Sequence, residues 1–254
     1  MRQRETSLPA GELARDALRQ ALIGMGATSL LGFVLAQLLP VGAMTPVFAA
    51  LTFGLFAAVG ARWLRDHPYA ELGPANRITI LRGALIADLA ALVVTGPAAV
   101  ISWPVVGLLV LALALDGFDG WAARRYKVSS RFGATLDQEL DAVFMLVLSL
   151  LAFRSGQCGA WVLAAGLWRY IFLALTKFSP AFRAHLPYSP RRRAICPIVL
   201  GGLILSVTPG LAPLAATGFA AAAVLLLSAS FLADILWLWT RRPPQAGLLD
   251  QGPG

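Results

Sequence analysis

Residues 116–142 read DGFDGWAARRYKVSSRFGATLDQELDA and place four aspartates beside long apolar stretches. Asp116 and Asp119 follow one apolar run, and Asp137 and Asp141 precede the next. A carboxylate at membrane depth costs roughly 2.5–3.5 kcal/mol even on the lenient insertion scale, so it needs a local reason to be there. The simplest reason is a polyvalent cation, which predicts a chemical role for these four residues.

The composition on either side of this run is that of a membrane protein. Of the 254 residues, 58% are hydrophobic and only 13% are charged, and stretches of about twenty apolar residues recur, the length of a membrane-spanning helix. The chain is therefore predicted to be an all-α polytopic membrane protein. Eight spans are expected, at residues 20–39, 44–63, 83–101, 104–123, 137–154, 158–176, 195–209 and 213–239.

The basic residues are distributed unevenly between the two sides of the predicted membrane. The longer loops that carry most Lys and Arg all fall on one side, and short proline-containing turns fall on the other. This bias predicts that both termini and the aspartate run face the cytoplasm, in the inner (cytoplasmic) cell membrane. The aromatic residues lie in apolar runs rather than among the basic clusters, so the net charge of +8 does not indicate a nucleic-acid partner.

The aspartates are spaced to share helix faces with small residues. At about 100° per residue, Asp119 and Gly120 flank Asp116, Ala123 lies near the centre of the same face, and Arg124 is about 80° away. The small residues allow a bulky ligand to approach the backbone closely. One side of this helix therefore combines two carboxylates, two small residues and a guanidinium.

The second half of the run follows the same pattern. Asp137 and Asp141 are one helical turn apart, and Gly133 lies one turn before them. Two antiparallel helices joined by a cytoplasmic loop would bring four mutually repelling carboxylates together. One or two divalent cations would relieve the repulsion, and oxygen ligands favour Mg²⁺ or Mn²⁺. Because Mg²⁺ usually completes its shell with substrate phosphates, the pattern predicts a phosphorylated ligand.

These residues resemble the signature of the CDP-alcohol phosphotransferase family, D-x2-D-G-x2-A-R-x8-G-x3-D-x3-D, at every fixed position. A second match is Asn76-x2-Thr79-x2-Arg82, which is similar to a family element just before the first core helix. The resemblance implies a six-helix core over residues 74–239, with two extra helices before it at 20–65. We further expect a cytoplasmic segment at 1–19, a short interfacial helix at 74–82 and a disordered tail at 243–254.

The resemblance also implies a reaction in phospholipid biosynthesis. A phosphatidyl group would pass from CDP-diacylglycerol to the hydroxyl of a small alcohol, with CMP as the second product. Two divalent metals would be held by Asp116, Asp119, Asp137 and Asp141, and Asp141 would also act as general base. The family implies contacts with the CDP-lipid for Asn76, Thr79, Arg82, Gly120, Ala123, Arg124, Ser130 and Gly133. Relatives often form homodimers, so a homodimer is an expectation here too.

The acceptor is less constrained by the sequence. Arg191, Arg192 and Arg193 open the seventh span, and basic residues near this position hold an acceptor phosphate in some relatives; membrane topology is an equally good explanation. Arg169 lies inside the sixth span and is expected to bind the acceptor or to pair with an acid. Together they favour a phosphorylated polyol, such as glycerol 3-phosphate or inositol phosphate.

The sequence contains other polar residues for which it predicts no part in the aspartate site. Glu139 is predicted to face solvent or headgroups, since it lies on the wrong helix face for the aspartate site. Asp88 and Asp234 are intramembrane acids that either line a cavity or pair with an arginine. His67 has no ligand spacing, and Cys158 and Cys196 are expected to be free thiols.

Two other functions are compatible with intramembrane carboxylates. An aspartate-rich membrane prenyltransferase also binds magnesium diphosphate, but it predicts N/D-D-x2-D motifs on two separated helix pairs, which the sequence lacks. An ion-coupled transporter predicts inverted repeats and interrupted helices, and no repeat is evident.

Overall fold

The computed structural model describes residues 10–96, 102–126, 130–178 and 190–240; within these ranges the side chains of residues 10, 119–124, 126, 190, 192 and 193 are not described. The described chain is helical and contains no strand, with two short 3₁₀ helices at Ala61–Asp66 and Ala160–Val162. Its α-helices are α1 (Ala10–Leu38), α2 (Thr45–Gly60), α3 (Gly73–Thr95), α4 (Trp103–Tyr126), α5 (Arg131–Arg154), α6 (Leu163–Phe178), α7 (Pro190–Ser206) and α8 (Pro213–Thr240).

In the described residues, five helical stretches are long and apolar enough to cross a membrane. They are Gly11–Leu38, Thr45–Asp66, Gly73–Thr95, Ala160–Phe178 and Pro213–Thr240. The apolar parts of α4 and α7 are shorter, at Trp103–Phe118 and Ala194–Ser206, because charged residues occupy one end of each helix. The prediction of an all-α polytopic membrane protein is confirmed.

Two predicted boundaries differ from the structure. Residues 74–82 do not form a separate interfacial helix but the first turns of α3, and α1 begins within the segment that was expected to precede the first span. The polar side chains of Asn76, Thr79 and Arg82 explain the first difference, because all three point into the protein rather than into a headgroup layer. The tail predicted at 243–254 lies outside the described residues.

Helix α3 lies at the centre of the protein. It packs against α1, α2, α4 and α5, and most of its length is buried. A second group, α7 and α8, packs against α4, α5 and α6 through a shared apolar core that includes Phe144, Leu148, Leu200 and Leu203. The ends of α3, α4 and α5 that carry polar residues therefore meet inside the bundle.

The two N-terminal helices dock onto this bundle through small residues. A Cβ atom at Gly24 would lie 2.3 Å from the Phe53 ring, and one at Gly32 would lie 2.9 Å from the Pro46 backbone. Between them, the Thr28 hydroxyl donates a 2.9 Å hydrogen bond to the buried carboxylate of Asp88 on α3. Gly24 and Gly32 therefore let α1 pack closely on α2, and the hydrogen bond from Thr28 to Asp88 joins α1 to α3.

Contacts between distant segments show which helix ends lie together. The Leu72 backbone N–H, just before α3, donates to Asp16 of α1 at 2.9 Å. His67 of the preceding loop contacts Ser130, at the start of α5, at 3.2 Å. The beginnings of α1, α3 and α5 and the end of α4 are thus at one end of the bundle, where the polar residues collect.

Candidate active site

Three of the four signature aspartates converge at this end of the bundle. Asp116 lies on α4, and Asp137 and Asp141 lie one turn apart on α5. One carboxylate oxygen from each residue lies within 4.8 Å of the other two. Their side chains are 23%, 41% and 29% exposed, so the cluster is open on one side. Three of the four carboxylates that were predicted to come together are therefore close to one another in the structure.

A buried arginine from α3 binds all three carboxylates. The Arg82 side chain is fully buried, and its Nη1 donates to Asp137 Oδ1 at 2.9 Å and its Nη2 to Asp141 Oδ1 at 2.5 Å. Nη1 also pairs with Asp116 Oδ1. Arg82, predicted only as a contact to the CDP-lipid, thus supplies internal positive charge that holds the carboxylates together.

The donor set suits a hard divalent cation. Carboxylate oxygens are preferred ligands of Mg²⁺ and Mn²⁺, and three of them converge here from two helices. Each contact described for Arg82 uses one oxygen of a carboxylate that has two. The cluster could therefore hold a metal ion while the guanidinium stays nearby.

The residues predicted to bind the CDP group partly surround this cluster. The Asn76 amide donates to the Leu72 carbonyl at 2.5 Å, and its Oδ1 would lie 2.6 Å from a Cβ atom at position 133. Gly133 is therefore required by the close approach of Asn76. The Gly133 N–H donates to Ser130 Oγ at 3.0 Å, so Ser130 caps the helix that carries Asp137 and Asp141.

The structure describes only part of the remaining residues that were predicted to bind metal or the CDP-lipid. Thr79 is buried one turn from Asn76, on α3, and its hydroxyl donates to the Ala75 carbonyl at 3.1 Å. Asp119, Gly120, Ala123 and Arg124 lie on the last turns of α4, near Asp116 in sequence, but their side chains lie outside the described part of the structure.

Two residues beside this site were not predicted from the sequence. His67 bridges Ser130 Oγ, at 3.2 Å from Nδ1, and the Glu71 carbonyl, at 2.8 Å from Nε2. Asp16 accepts the Leu72 N–H, and the carbonyl of Leu72 accepts from Asn76. Both contacts join segments 56 or more residues apart in sequence, so no local pattern could reveal them.

A cavity of about 580 Å³ opens beside the carboxylates. Asp141 belongs to both the cluster and the cavity wall, so it lies between the candidate metal site and the cavity. Further wall residues come from α5, α6, α7 and α8, and the charged and polar ones are Gln138, Arg169, Ser230 and Asp234. A second substrate in this cavity would lie next to Asp141.

The charged residues around the cavity form ion pairs. Arg169 pairs with Glu139, and Arg191 pairs with Asp234 at 2.9 Å. Glu139, predicted to face solvent or headgroups, is 32% exposed and is paired with Arg169 of α6. The partner of Asp88 is Thr28 rather than an arginine, and Cys158 and Cys196 are free as predicted. The side chains of Arg192 and Arg193 are among those not described.

Fold and site together define a helical membrane protein whose carboxylate cluster could hold a divalent metal beside a substrate-sized cavity. The model of the CDP-alcohol phosphatidyltransferase family matches residues 73–240, from the start of α3 to the end of α8. The chain therefore belongs to the CDP-alcohol phosphatidyltransferase family. No curated protein and no solved structure matches the chain.

Membership makes the protein a transferase that acts on a CDP-linked alcohol, and the family uses a divalent metal. The matched region contains every helix that contributes to the carboxylate cluster and the cavity. Helices α1 and α2 lie outside it.

Proposed function

We propose that this protein transfers a phosphatidyl group from CDP-diacylglycerol to the hydroxyl of a small alcohol and releases CMP, as a step of phospholipid biosynthesis. The observation that carries the proposal is the position of Asp141, which is both a member of the carboxylate cluster and part of the cavity wall. The CDP-lipid diphosphate would bind at the cluster and the acceptor in the cavity, with Asp141 between them.

Asp141 acts as general base in this reaction. Its carboxylate takes the proton of the acceptor hydroxyl as the hydroxyl oxygen attacks the phosphorus bonded to the lipid. The new phosphorus–oxygen bond joins lipid phosphate and acceptor, the diphosphate bond breaks, and CMP leaves with the bonding electrons. Asp116, Asp119, Asp137 and Asp141 would hold divalent metal, which would supply positive charge to the phosphate oxygens of the donor.

The CDP end of the donor is bound by the other signature residues. Asn76 and Ser130 present polar atoms on both sides of Gly133, whose lack of a side chain leaves space for the ligand and for Asn76. Arg82 holds the carboxylates in place through its hydrogen-bonded ion pairs. Arg124 supplies positive charge that would bind the diphosphate. On α4, Gly120 and Ala123 would let the CDP group approach the helix backbone closely. On α3, Thr79 would contact the same group.

The protein acts in the inner cell membrane with the site facing the cytoplasm. The Lys and Arg bias of the loops supports this orientation, because the described basic residues Arg65 and Arg77 lie at the end of the bundle where α3 and α5 begin, as does the carboxylate cluster. CDP-diacylglycerol would enter from the bilayer and the soluble acceptor from the cytoplasm.

Substitution of the general base tests the mechanism. In purified protein, Asp141→Asn should lower acceptor-dependent CMP release by about 10²–10⁴-fold, the usual contribution of a general base, while CDP-diacylglycerol binding persists. Asp66→Asn, a matched change at an exposed position, should leave turnover unchanged. Turnover of Asp141→Asn at the wild-type rate would refute the assignment of the base, and wild-type turnover in excess EDTA would refute the metal requirement.

A further inference from the structure

We infer that the acceptor alcohol carries no net charge at neutral pH and is not a phosphate monoester. This inference rests on the proposed function, because it concerns the cavity beside Asp141. It reverses the expectation of a phosphorylated polyol, which rested on Arg169, Arg191, Arg192 and Arg193; of these, the side chains of Arg169 and Arg191 are described. The reason is that both arginines are already engaged by carboxylates that belong to the same region of the protein.

The first pair is fixed by the packing of α6 against α5. A Cβ atom at Gly166 would lie 2.6 Å from the Leu146 backbone, so the two helices touch without an intervening side chain. Arg169 follows Gly166 by three residues and pairs with Glu139 of α5, with 21% and 32% of the two side chains exposed. Arg169 lines the cavity, and its charge there is balanced by Glu139.

The second pair joins α7 to α8. Arg191 Nη2 lies 2.9 Å from Asp234 Oδ1, and the Asp234 side chain is only 14% exposed while that of Arg191 is 49% exposed. It is the acid, not the arginine, that lines the cavity. The cavity wall therefore presents a carboxylate where the sequence suggested a cationic site for phosphate.

The pairing of these charges disfavours an anionic acceptor. Among the described side chains, each acid of the wall or of its ion pairs already has an arginine partner: Glu139 pairs with Arg169, Asp234 with Arg191 and Asp141 with Arg82. A phosphate dianion at Arg169 or Arg191 would compete with the carboxylate already bound there, and displacing that carboxylate would leave it uncompensated in a partly buried site. It would also approach Asp234, which carries the same sign of charge.

An acceptor without net charge meets no such penalty. Hydroxyl groups of a polyol can donate to Glu139 or Asp234 and accept from Arg169 without separating either pair. A zwitterion can place its carboxylate and ammonium groups along the same alternating charges. Gln138 and Ser230 add neutral polar groups on the same wall. An uncharged polyol and a zwitterionic hydroxy amino acid share this chemistry, and the test separates them.

The test compares acceptors that differ in charge. Purified protein in detergent receives CDP-diacylglycerol, Mg²⁺ and one acceptor at a time: glycerol, myo-inositol, L-serine, choline, glycerol 3-phosphate or inositol phosphate. CMP release that depends on glycerol, myo-inositol or L-serine, with none from the phosphorylated pair or from choline, supports the inference and says which uncharged class is used. Turnover with a phosphorylated acceptor or with choline overturns the inference and leaves the proposed function intact.

Two further outcomes distinguish failure of the inference from failure of the proposed function. If no acceptor supports turnover but the protein binds CDP-diacylglycerol in the presence of Mg²⁺, the inference fails and the donor half of the proposed function stands. If CDP-diacylglycerol is neither bound nor consumed, both fail.

A charge variant gives a second readout. Glu139→Gln removes the carboxylate that balances Arg169, so glycerol 3-phosphate should become an inhibitor about tenfold more potent than it is towards wild type, equivalent to about 1.4 kcal/mol. Glu12→Gln, an exposed acid on α1, is the matched control and should not change inhibition. Equal inhibition of Glu139→Gln and wild type would show that the ion pair does not exclude anions and would overturn the inference.

Discussion

Replacing Arg82 by methionine should make the stability of this protein depend on divalent metal. Arg82 is fully buried and contacts the carboxylates of Asp116, Asp137 and Asp141, so its removal leaves three negative charges without their internal counter-ion. Methionine keeps much of the apolar stem and removes only the guanidinium. The variant therefore isolates the electrostatic contribution.

The expected loss can be estimated from the burial of the partners. Removing one partner of a buried ion pair costs about 3–5 kcal/mol. The three carboxylates here are 23%, 41% and 29% exposed, which places the loss at the lower end, about 3 kcal/mol in EDTA. A metal that binds only the folded protein stabilises it by about 2.7 kcal/mol at a concentration of 100 Kd. The carboxylates of the variant no longer share their charge with a guanidinium, so they should bind Mg²⁺ more tightly than those of wild type, and saturating Mg²⁺ should stabilise the variant more and narrow the difference.

The assay is denaturant unfolding in detergent, followed by the fluorescence of the seven tryptophans, with and without Mg²⁺. Arg77→Met is the matched control: the Arg77 side chain is 46% exposed, so its pairs with Glu71 and Asp16 contribute at most about 1 kcal/mol. If Arg82→Met unfolds like wild type in EDTA, or if Mg²⁺ fails to narrow the difference, the assignment of Arg82 as internal counter-ion is refuted.

Two further substitutions test how the site and the extra helices are built. Gly133→Ala places a Cβ atom 2.6 Å from Asn76 Oδ1, so Asn76 must move. Loss of one hydrogen bond from Asn76 to the donor should raise the KM for CDP-diacylglycerol roughly tenfold. An unchanged KM would contradict the predicted contact between Asn76 and the donor. Thr28→Val leaves buried Asp88 without its hydroxyl donor and should lower the unfolding free energy by about 1–3 kcal/mol; an unchanged unfolding curve would show that this bond does not fix α1.

The carboxylate cluster was predictable because its residues are close in sequence. Asp137 and Asp141 share a face by helical periodicity alone, and a short connection forces α4 to return as α5 and brings Asp116 to them. The membrane spans were predictable for a similar reason, since their length and apolar composition are local properties. The continuation of residues 74–82 into α3 was not predictable, because the first turns of a basic amphipathic helix and a separate interfacial helix have the same composition.

The parts that the sequence did not reveal depend on contacts between helices. Arg82 was expected at the CDP-lipid, yet its partners lie 34 to 59 residues away on α4 and α5. The prediction for Glu139 uses its angular position on α5 relative to Asp137 and Asp141. That position gives no information about where α6 packs. Gly166 has no side chain, so α6 packs closely on α5 at this point. This packing places Arg169 beside Glu139, and the two side chains form an ion pair.

Acceptor-dependent release of CMP from CDP-diacylglycerol is the most direct test of the central claim. Purified protein reconstituted in liposomes with CDP-diacylglycerol, labelled in the cytidine, should release labelled CMP when Mg²⁺ and a mixture of small alcohols are present. Release should cease when EDTA replaces Mg²⁺, and a phosphatidyl-alcohol should form in equal amount. CMP release that persists in EDTA, or no release under any of these conditions, would contradict a metal-dependent phosphatidyl transfer at the aspartate cluster.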